Sequence, residues 1–374
     1  MLLYDLTATQ PQGKVLVSGG AQYARHLFFQ LANKTNNFSC VFNSSLNLDL
    51  SIRELCDKMG IKLYDCKEKT ISEIIVLSKC STFYSALPYL YGNIKIEGVT
   101  FWGTIHGLRD IEICSDKYMD LYADNCIDYL VLKLKKTKLY EKYATYRGYK
   151  RFKLLFENPS FKFITVSEHT KYSILCKFPN VQAANVRVLY SPLDIIDNMH
   201  LDTSDYFLLV SGNRWLKNAY RVLRALDSLI SDGRIRKKVV VTGACPKRIR
   251  GHLVNKHYFE FFDYVSDSKL NDLMRGAYCF VYPSLNEGFG YPPLQAMASG
   301  TPVVAASDTS IPEVCGSAAI YFNPYDEKEI KVRLLQITEE NTRGSLIEMG
   351  RKRFEFISKR QLEDCSELVD LLLS

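Results

Sequence analysis

Stretches typical of β-strands alternate with helical stretches along most of this chain, and this alternation constrains its fold more than any other feature. Strands are predicted at 2–8, 39–44, 61–65, 81–85, 99–106, 161–167, 186–192, 206–212, 238–243, 258–261 and 278–284. Helices are predicted at 20–33, after about 168, near 218–231 and near 268–277. Because such alternation is typical of parallel sheets covered by helices, the chain is expected to contain two parallel α/β sheets.

The polar, turn-rich segment 191–205 separates the two runs of alternation and predicts a linker. A chain of 374 residues is long enough for two domains. We therefore expect an N-terminal Rossmann-like domain over 1–192, a C-terminal Rossmann-like domain over 193–355, and a final helical segment over 356–374.

Composition narrows the class of protein. The N-terminus lacks the features of a signal peptide, and no run of 18 apolar residues is present, which predicts a soluble or peripheral protein. The 11 cysteines form no C-x-x-C pair and no zinc-type cluster with histidine, so we expect reduced thiols in the cytoplasm and no metal site. The net charge of +7 favours an anionic partner.

Residues 283–305 combine a glycine loop, a single carboxylate and the start of a helix. The run Glu287-Gly288-Phe289-Gly290 follows a predicted strand, and a helix ending at Gly300 comes after it. This order directs backbone N–H groups and a helix dipole at an anion, while the carboxylate can accept hydrogen bonds from hydroxyl groups. A sugar attached to a diphosphate meets both demands.

A second loop carries Arg214 and Lys217 between a predicted strand and a helix. A guanidinium and an ammonium suit a diphosphate. The alternative is a pair of solvated charges at a helix start, but cations are disfavoured there unless an anion accompanies them.

The segment 283–305 resembles the nucleotide-sugar-dependent retaining glycosyltransferases of family 4, whose pattern is E-G-F-G-x-P-x-x-E-A-M-A-x-G-x-P-V-V. The segments 163–174, 261–284 and 307–326 extend this resemblance, which covers the C-terminal half well and the N-terminal half in patches. The resemblance implies a GT-B fold, with two Rossmann-like domains facing across a cleft. The donor would bind the C-terminal domain and the acceptor the N-terminal domain, and the helix after about 355 would return to the first domain. The family uses neither a metal nor another cofactor.

The resemblance also assigns roles to residues. Glu287 would contact the donor sugar, and Arg214 and Lys217 would hold its diphosphate. Gln295 stands where the family usually has a glutamate that contacts the ribose hydroxyls, and an amide lacks the charge-assisted hydrogen bond. The other donor-loop residues implied are Gly288, Phe289, Gly290 and Tyr291.

Candidates in the first half are fewer. His106, at the end of a predicted strand, would face the donor sugar in the family, although a lone histidine there is more often structural. Arg109 is a weaker candidate for the same place. Gly19 and Gly20 precede the first helix, where the family places a loop near the donor phosphate and the acceptor, and a plain turn is the alternative.

Two further patterns allow a structural interpretation. The stretch 133–153 has nine Lys/Arg against Glu141 alone, with tyrosines every third residue from Tyr140 to Tyr149. It predicts contact with an anionic membrane surface, with nucleic acid or a solvated helix face as alternatives. Ser310 and Glu313 have the spacing of a capping box, so Glu313 is predicted to be structural.

Together these patterns predict a retaining hexosyltransferase that uses a UDP- or GDP-sugar and a glycan or lipid-linked acceptor. Nucleic acid is not expected as a partner. Surface polysaccharide or lipopolysaccharide assembly, by a cytoplasmic protein at the inner face of the membrane, is the expected setting. The alternatives are a sugar-nucleotide epimerase or phosphorylase of related fold, or a non-catalytic scaffold or nucleic-acid-binding protein, which Gln295 keeps open.

Overall fold

The computed structural model describes residues 1–11, 19–192 and 205–374, and these form two compact units. The first unit takes its described residues from 1–108, 148–194 and 358–374, and the second from 109–147 and 195–357. Residues 109–147, which the sequence analysis placed in the first domain, thus group with the second unit. Most of the predicted linker, at 193–204, lies outside the described residues, as do positions 12–18.

The first unit contains a seven-stranded parallel sheet. Its strands are Leu2–Asp5 (β1), Phe38–Phe42 (β2), Lys62–Asp65 (β3), Thr82–Ser85 (β4), Thr100–Ile105 (β5), Phe161–Thr165 (β6) and Val186–Val188 (β7). They are ordered β3-β2-β1-β4-β5-β6-β7.

The second unit contains a six-stranded parallel sheet. Its strands are Tyr206–Leu209 (β8), Lys238–Val241 (β9), Phe259–Phe261 (β10), Cys279–Tyr282 (β11), Val303–Ala306 (β12) and Ala319–Phe322 (β13). They are ordered β10-β9-β8-β11-β12-β13, so the strand order reverses between β8 and β11. Ligands of parallel α/β sheets bind outside the carboxyl ends of the strands at such a reversal.

Helices follow most of the strands. They are Gly19–Lys34 (α1), Leu50–Met59 (α2), Ile71–Ser78 (α3), Arg109–Glu112 (α4), Cys126–Lys135 (α5), Lys138–Phe156 (α6), Glu168–Lys177 (α7), Ala219–Ser231 (α8), Lys247–Gly251 (α9), Asp267–Gly276 (α10), Tyr291–Ala298 (α11), Ile311–Cys315 (α12), Glu327–Gln336 (α13) and Glu340–Leu373 (α14). Among the described residues, no helix has both the length and the apolar character needed to cross a membrane.

The strands are apolar because parallel sheets are covered on both faces. All four residues of β1, β11 and β12 are buried. Every strand predicted from the sequence is present, which confirms the two parallel sheets, whereas β12 and β13 were not predicted. The first predicted strand ends early, at Asp5, because the Asp5 carboxylate accepts the N–H of Thr7 and caps a short 3₁₀ turn over Leu6–Thr9.

Segment 109–147 is joined to the rest of the second unit by a buried ion pair. Arg221 of α8 donates from its two terminal nitrogens to the two carboxylate oxygens of Asp116, at 3.1 and 2.8 Å. One of these nitrogens also donates to the side-chain oxygen of Asn218, at 2.7 Å. Close by, the hydroxyl of Tyr122 accepts the N–H of Tyr220 at 3.0 Å. These contacts hold the polypeptide ahead of α5 against the start of α8.

Candidate functional site

The glycine loop predicted from the sequence lies at the carboxyl end of β11, where the strand order of the second sheet reverses. Gly290 caps α11 with a φ of 116°, a left-handed conformation that favours glycine. Pro292 and Pro293 follow in the first turn of the helix, where a missing N–H costs little. The N–H groups of Gly288 and Gly290 donate to no other described residue, so both are available to an anion at the helix start.

Glu287 of this loop forms an ion pair with Lys217, from the loop after β8. The ammonium lies 2.5 Å from Oε1, and the two side chains are each only 16% exposed. Lys217 also donates to the hydroxyl of Tyr282 at 2.8 Å, and the Ser284 hydroxyl donates to the same Glu287 oxygen. The loops after the two strands at the reversal are thus joined by one buried charge pair.

The surroundings of Glu287 set its protonation. Burial by itself raises the pKa of Glu287, but the charge of Lys217 and the hydrogen bonds from Lys217, Ser284 and Tyr282 together outweigh it, so the pKa lies below its ordinary value. Burial, and next the charge of Glu287, raise the pKa of Tyr282 far above its usual range. At neutral pH Glu287 is therefore a carboxylate and Tyr282 a neutral phenol.

The backbone of the glycine loop is held from the start of α12. The hydroxyl of Ser310 donates to the carbonyl oxygens of Glu287 and Phe289, at 3.0 and 2.8 Å. The N–H of Glu287 donates to the hydroxyl of Thr309 at 3.0 Å. Ser310 makes no side-chain cap, so the predicted capping box is wrong: its hydroxyl is already used by the loop carbonyls.

The basic loop is built as a 3₁₀ turn over Trp215–Lys217, followed by Asn218 in a left-handed conformation at the start of α8. The carbonyl of Leu216 accepts the N–H of Leu285 at 2.8 Å, which fixes this loop against the glycine loop. Arg214 is exposed, and its guanidinium makes no hydrogen bond or ion pair with another described residue. Arg214 is therefore the unpaired cation of the site, whereas Lys217 is already paired.

The remaining donor-loop candidates lie on α11 or just before it. The ring of Phe289 is buried, and its centroid lies 5.3 Å from that of Tyr291. Tyr291 and Gln295 are both half-buried and lie four positions apart, on one face of α11. The amide of Gln295 thus lies just over one turn beyond the two glycine N–H groups.

His106 belongs to the first unit and follows β5 directly. Its Nε2 lies 3.1 Å from the carbonyl oxygen of Ala86, which can only accept, so Nε2 carries the proton and Nδ1 is left as an acceptor. The edge of the imidazole meets the ring of Tyr23 at 4.9 Å between centroids. Burial lowers the pKa of His106 to about 4, against the opposing effect of the Ala86 carbonyl, so the imidazole is neutral at pH 7.

The other candidates of the first half are dispersed. Arg109 begins α4 in the second unit, is exposed, and lies 3.9 Å from Asp110. Gly19 and Gly20 are the first two residues of α1 in the first unit, and the loop before them falls in the positions 12–18 that the structure does not describe. A Cβ on Gly20 would come within 2.9 Å of the end of the Leu87 side chain, which would have to shift.

Several residues of the site were missed in the sequence. Tyr282 and Ser284 stand beside the motif, and a hydroxyl close to a loop carboxylate is a signal that could have found them. Thr309 and Ser310 carry no such signal, because β12 separates them from the loop that they hold. Asn286 donates to Glu112 of α4 at 2.8 Å, a contact between residues 174 positions apart. Within the described part of the chain, no group of three or more His, Cys, Asp or Glu side chains could hold a metal ion.

Comparison with known proteins gives a family match in the second half of the chain. Residues 195–353 match the family model described as Glycosyl transferases group 1. The chain is 31% identical over 156 residues to O-antigen chain mannosyltransferase B of Escherichia coli, covering 40% of this chain and 41% of that protein. It is 30% identical over 205 residues to O-antigen chain mannosyltransferase RfbU of Salmonella typhimurium, covering 53% and 57% respectively. The chain thus spans about half the length of these curated relatives.

Solved structures match over nearly the whole chain. The HepE protein of Anabaena, crystallised with UDP and glucose, superposes with a TM-score of 0.67 at 13% identity, covering 99% of this chain and 98% of that one. WaaG, a glycosyltransferase involved in lipopolysaccharide biosynthesis, gives 0.67 at 14% identity, covering 100% and 99%. These likenesses and the two parallel sheets show the fold class, GT-B, with two Rossmann-like domains.

Proposed function

We propose that this protein is a retaining, metal-independent glycosyltransferase of family 4. It would transfer a hexose from a nucleotide diphosphate sugar to a hydroxyl group of a glycan or lipid-linked acceptor during surface polysaccharide assembly. The observation that carries the proposal is the Glu287–Lys217 pair at the strand reversal, beside two available glycine N–H groups and the unpaired Arg214. The match to Glycosyl transferases group 1 covers both of these loops and supports it.

The proposed reaction needs no reactant besides the sugar donor and the acceptor hydroxyl group. The bond between the anomeric carbon and the phosphate oxygen breaks, and its electron pair leaves with the diphosphate. The acceptor oxygen bonds to the same carbon, and its proton passes to the departing diphosphate. Retention of configuration, which places this attack on the face that the diphosphate leaves, is proposed on the resemblance alone.

Positive groups aimed at the leaving diphosphate would lower the barrier, because charge builds there in the transition state. Lys217 is already bonded to Glu287, so Arg214 would carry most of this task with the Gly288 and Gly290 N–H groups. Lys217 would chiefly keep Glu287 ionised and fixed as an acceptor for sugar hydroxyls. Gln295 would bond the ribose hydroxyls with its neutral amide.

His106 is retained as a proposed contact of the donor sugar, on the resemblance and on its available Nδ1 acceptor. On the same resemblance, we also propose that Arg109 contacts the donor sugar. Gly19 and Gly20 are proposed to lie near the donor phosphate and the acceptor.

The names of the two bacterial relatives make mannose the first sugar to test. The donor nucleotide is proposed to be UDP or GDP, and the HepE structure with UDP and glucose supports testing UDP-sugars. A lipid-linked acceptor would place the protein at the cytoplasmic face of a membrane, with segment 133–153 as the proposed contact.

The test is a donor screen on the full chain that measures nucleotide release and donor binding for UDP-, GDP- and ADP-linked mannose and glucose. One donor is expected to be hydrolysed slowly without acceptor and to raise the melting temperature. Glu287→Gln keeps the shape of the side chain but removes its charge, and it should lower turnover about 100-fold or more. The matched control is Glu348→Gln, which removes a carboxylate from the surface of α14 and should leave turnover unchanged.

The alternatives give different results. Conversion of the donor sugar without nucleotide release would indicate an epimerase. If no donor is turned over or bound, the non-catalytic scaffold becomes the better interpretation. Equal turnover by Glu287→Gln and wild type would remove Glu287 from the mechanism.

A further inference from the structure

Helix α5 exposes an apolar face to solvent. None of its ten residues is buried. Its four most exposed large apolar side chains are Ile127, Leu130, Val131 and Leu134, with exposed fractions of 75, 60, 42 and 66%. A soluble helix normally buries such residues, and a contiguous exposed apolar patch marks a contact surface.

The spacing places these four residues on one face of α5. At 100° per residue, positions 127, 130, 131 and 134 fall within about 100° of one another. The opposite side of the helix is held against the second unit. Tyr129 lies there, with the guanidinium carbon of Arg248 4.4 Å from its ring centroid, and Lys136 donates to Asp120 at 2.8 Å. The apolar face is therefore directed away from the second unit.

Helix α6 continues the pattern over its first half. Leu139, Tyr143 and Tyr146 are exposed at three- and four-residue spacing. In its second half Phe152 and Phe156 are buried, and both pack against Phe178. The change from exposed to buried apolar residues within one helix shows that the protein covers only its end.

Basic residues border the apolar face. Lys133 and Lys135 lie on its two sides along α5, and the ammonium of Lys133 lies 5.9 Å from the ring centroid of Tyr129. Over 126–150 the chain has seven Lys/Arg and two acidic residues, Asp128 and Glu141. An apolar face with a cationic border is the design of a helix that lies in the interface of an anionic bilayer.

We propose that α5 inserts this face, which we define as Ile127, Leu130, Val131 and Leu134, into the interfacial layer of an anionic membrane, with Leu139, Tyr143 and Tyr146 of α6 as a second contact. A lipid surface is favoured over a second copy of the chain because two copies would bring their cationic borders together, whereas anionic head groups neutralise them. The proposal goes beyond an electrostatic contact of 133–153, since it adds the insertion of apolar side chains and extends the contact to Ile127, Leu130 and Val131, which precede that segment. It does not depend on the proposed reaction, because binding is measured without a sugar donor.

The test is co-sedimentation of the full chain with vesicles of phosphatidylcholine containing phosphatidylglycerol, and with vesicles of phosphatidylcholine alone. We expect binding to the anionic vesicles that is weakened by 0.5 M salt but not abolished. The double variant Leu130→Ser/Leu134→Ser should lower the affinity about tenfold or more, because each side chain loses its apolar contact. Lys133→Gln/Lys135→Gln should lower affinity about fivefold per lysine and reduce its salt dependence.

Two controls distinguish insertion of α5 from nonspecific hydrophobic binding to vesicles. Val254→Ser removes a valine that is also exposed, at 79%, elsewhere in the second unit and should leave binding unchanged. Leu130→Trp should show a blue-shifted fluorescence on vesicle addition, and Val254→Trp should not. The proposal is overturned if the wild type does not bind anionic vesicles. It is also overturned if the Leu130→Ser/Leu134→Ser variant binds them as tightly as the wild type, or if the fluorescence of Leu130→Trp does not shift on vesicle addition. Sedimentation velocity showing self-association that the leucine variant abolishes, without vesicle binding, would identify a second copy as the occupant instead.

Discussion

At the scale of single residues, the site is governed by which charges are already paired. The Lys217 ammonium and Oε1 of Glu287 lie 2.5 Å apart, so each charge already has a partner within the protein. Arg214 is a free charge, because its guanidinium has no partner among the described residues. The sequence predicted one basic pair for the diphosphate, and the structure divides that pair into a paired lysine and an available arginine.

The depressed pKa of His106 predicts a pH dependence of stability. Its pKa is about 4 in the folded chain and near 6.5 when unfolded, so only the unfolded chain gains this proton between those values. Stability should therefore fall as the pH drops from 6.5 to 4, by up to about 1.4 kcal/mol per pH unit. Urea unfolding at pH 7, 6 and 5 measures this slope, which His106→Asn should reduce.

His252 provides the matched control for this prediction. It is exposed, so His252→Gln tests whether the loss of a histidine elsewhere in the chain changes the slope as His106→Asn does. A slope that His106→Asn does not alter would mean that the acid sensitivity has another origin.

At the scale of elements, the functional loops depend on contacts between elements distant in the chain. The loop before α11 is held by Ser310 from the start of α12, and the start of α8 is held by Asp116 from the segment before α5. Local sequence predicts helix starts well, because caps lie within three or four residues. It failed at Ser310, because a partner brought in by the fold competes with the local cap.

The Asp116–Arg221 pair should contribute strongly to the stability of the second unit. The two side chains are 6 and 5% exposed, so removing Asp116 leaves a buried guanidinium without its carboxylate. We expect Asp116→Ala to cost about 3–5 kcal/mol of unfolding free energy. Chemical denaturation of the full chain measures this cost.

The same helix supplies the control. Arg224 of α8 pairs with Glu327 at 3.4 Å near the surface, where such pairs contribute at most about 1 kcal/mol. Glu327 also accepts the hydroxyl of Tyr118 at 3.2 Å, so Glu327→Ala should cost about 1–2 kcal/mol, less than Asp116→Ala. Similar costs for the two variants would contradict the assigned importance of the buried pair.

At the scale of the whole molecule, helix α14 is divided between the two units. Its residues up to 357 belong to the second unit, and its residues from 358 onward belong to the first. In the first unit, Asp364 accepts the N–H of Tyr190 at 2.7 Å, and Leu368 and Leu372 are buried. The last residues of the chain are therefore part of the core of the first unit.

Shortening these two leucines should destabilise the first unit and leave donor binding intact. Leu368→Ala and Leu372→Ala should each cost about 2–5 kcal/mol, because each leaves a cavity. Hydrogen exchange should locate the loosening in the first unit, and a bound nucleotide sugar should still protect the glycine loop. Leu362→Ala, which shortens an exposed leucine of the same helix, should change stability by less than about 0.5 kcal/mol. Loss of donor binding in a folded Leu368→Ala variant would show that donor binding depends on the first unit beyond the proposed contact of His106.

The sequence by itself determined the strands that it predicted, the parallel character of both sheets, and the glycine loop with its carboxylate. Each of these features depends on residues that are close together in the chain. The signals are the hydrophobic periodicity, the positions of the glycines, and the order of strand, loop and helix. Glu287 can be recognised in the sequence because the motif that identifies it spans only a few positions.

Only the tertiary structure decided which side chains meet at that loop. Lys217 reaches Glu287 because β8 and β11 are neighbours, and Ser310 reaches the loop because β12 lies on the other side. The grouping of residues 109–147 with the second unit, through Asp116, is likewise absent from any local pattern. The physical reason is that strand order and long-range hydrogen bonds are chosen by the packing of the whole unit, which no short stretch of sequence contains.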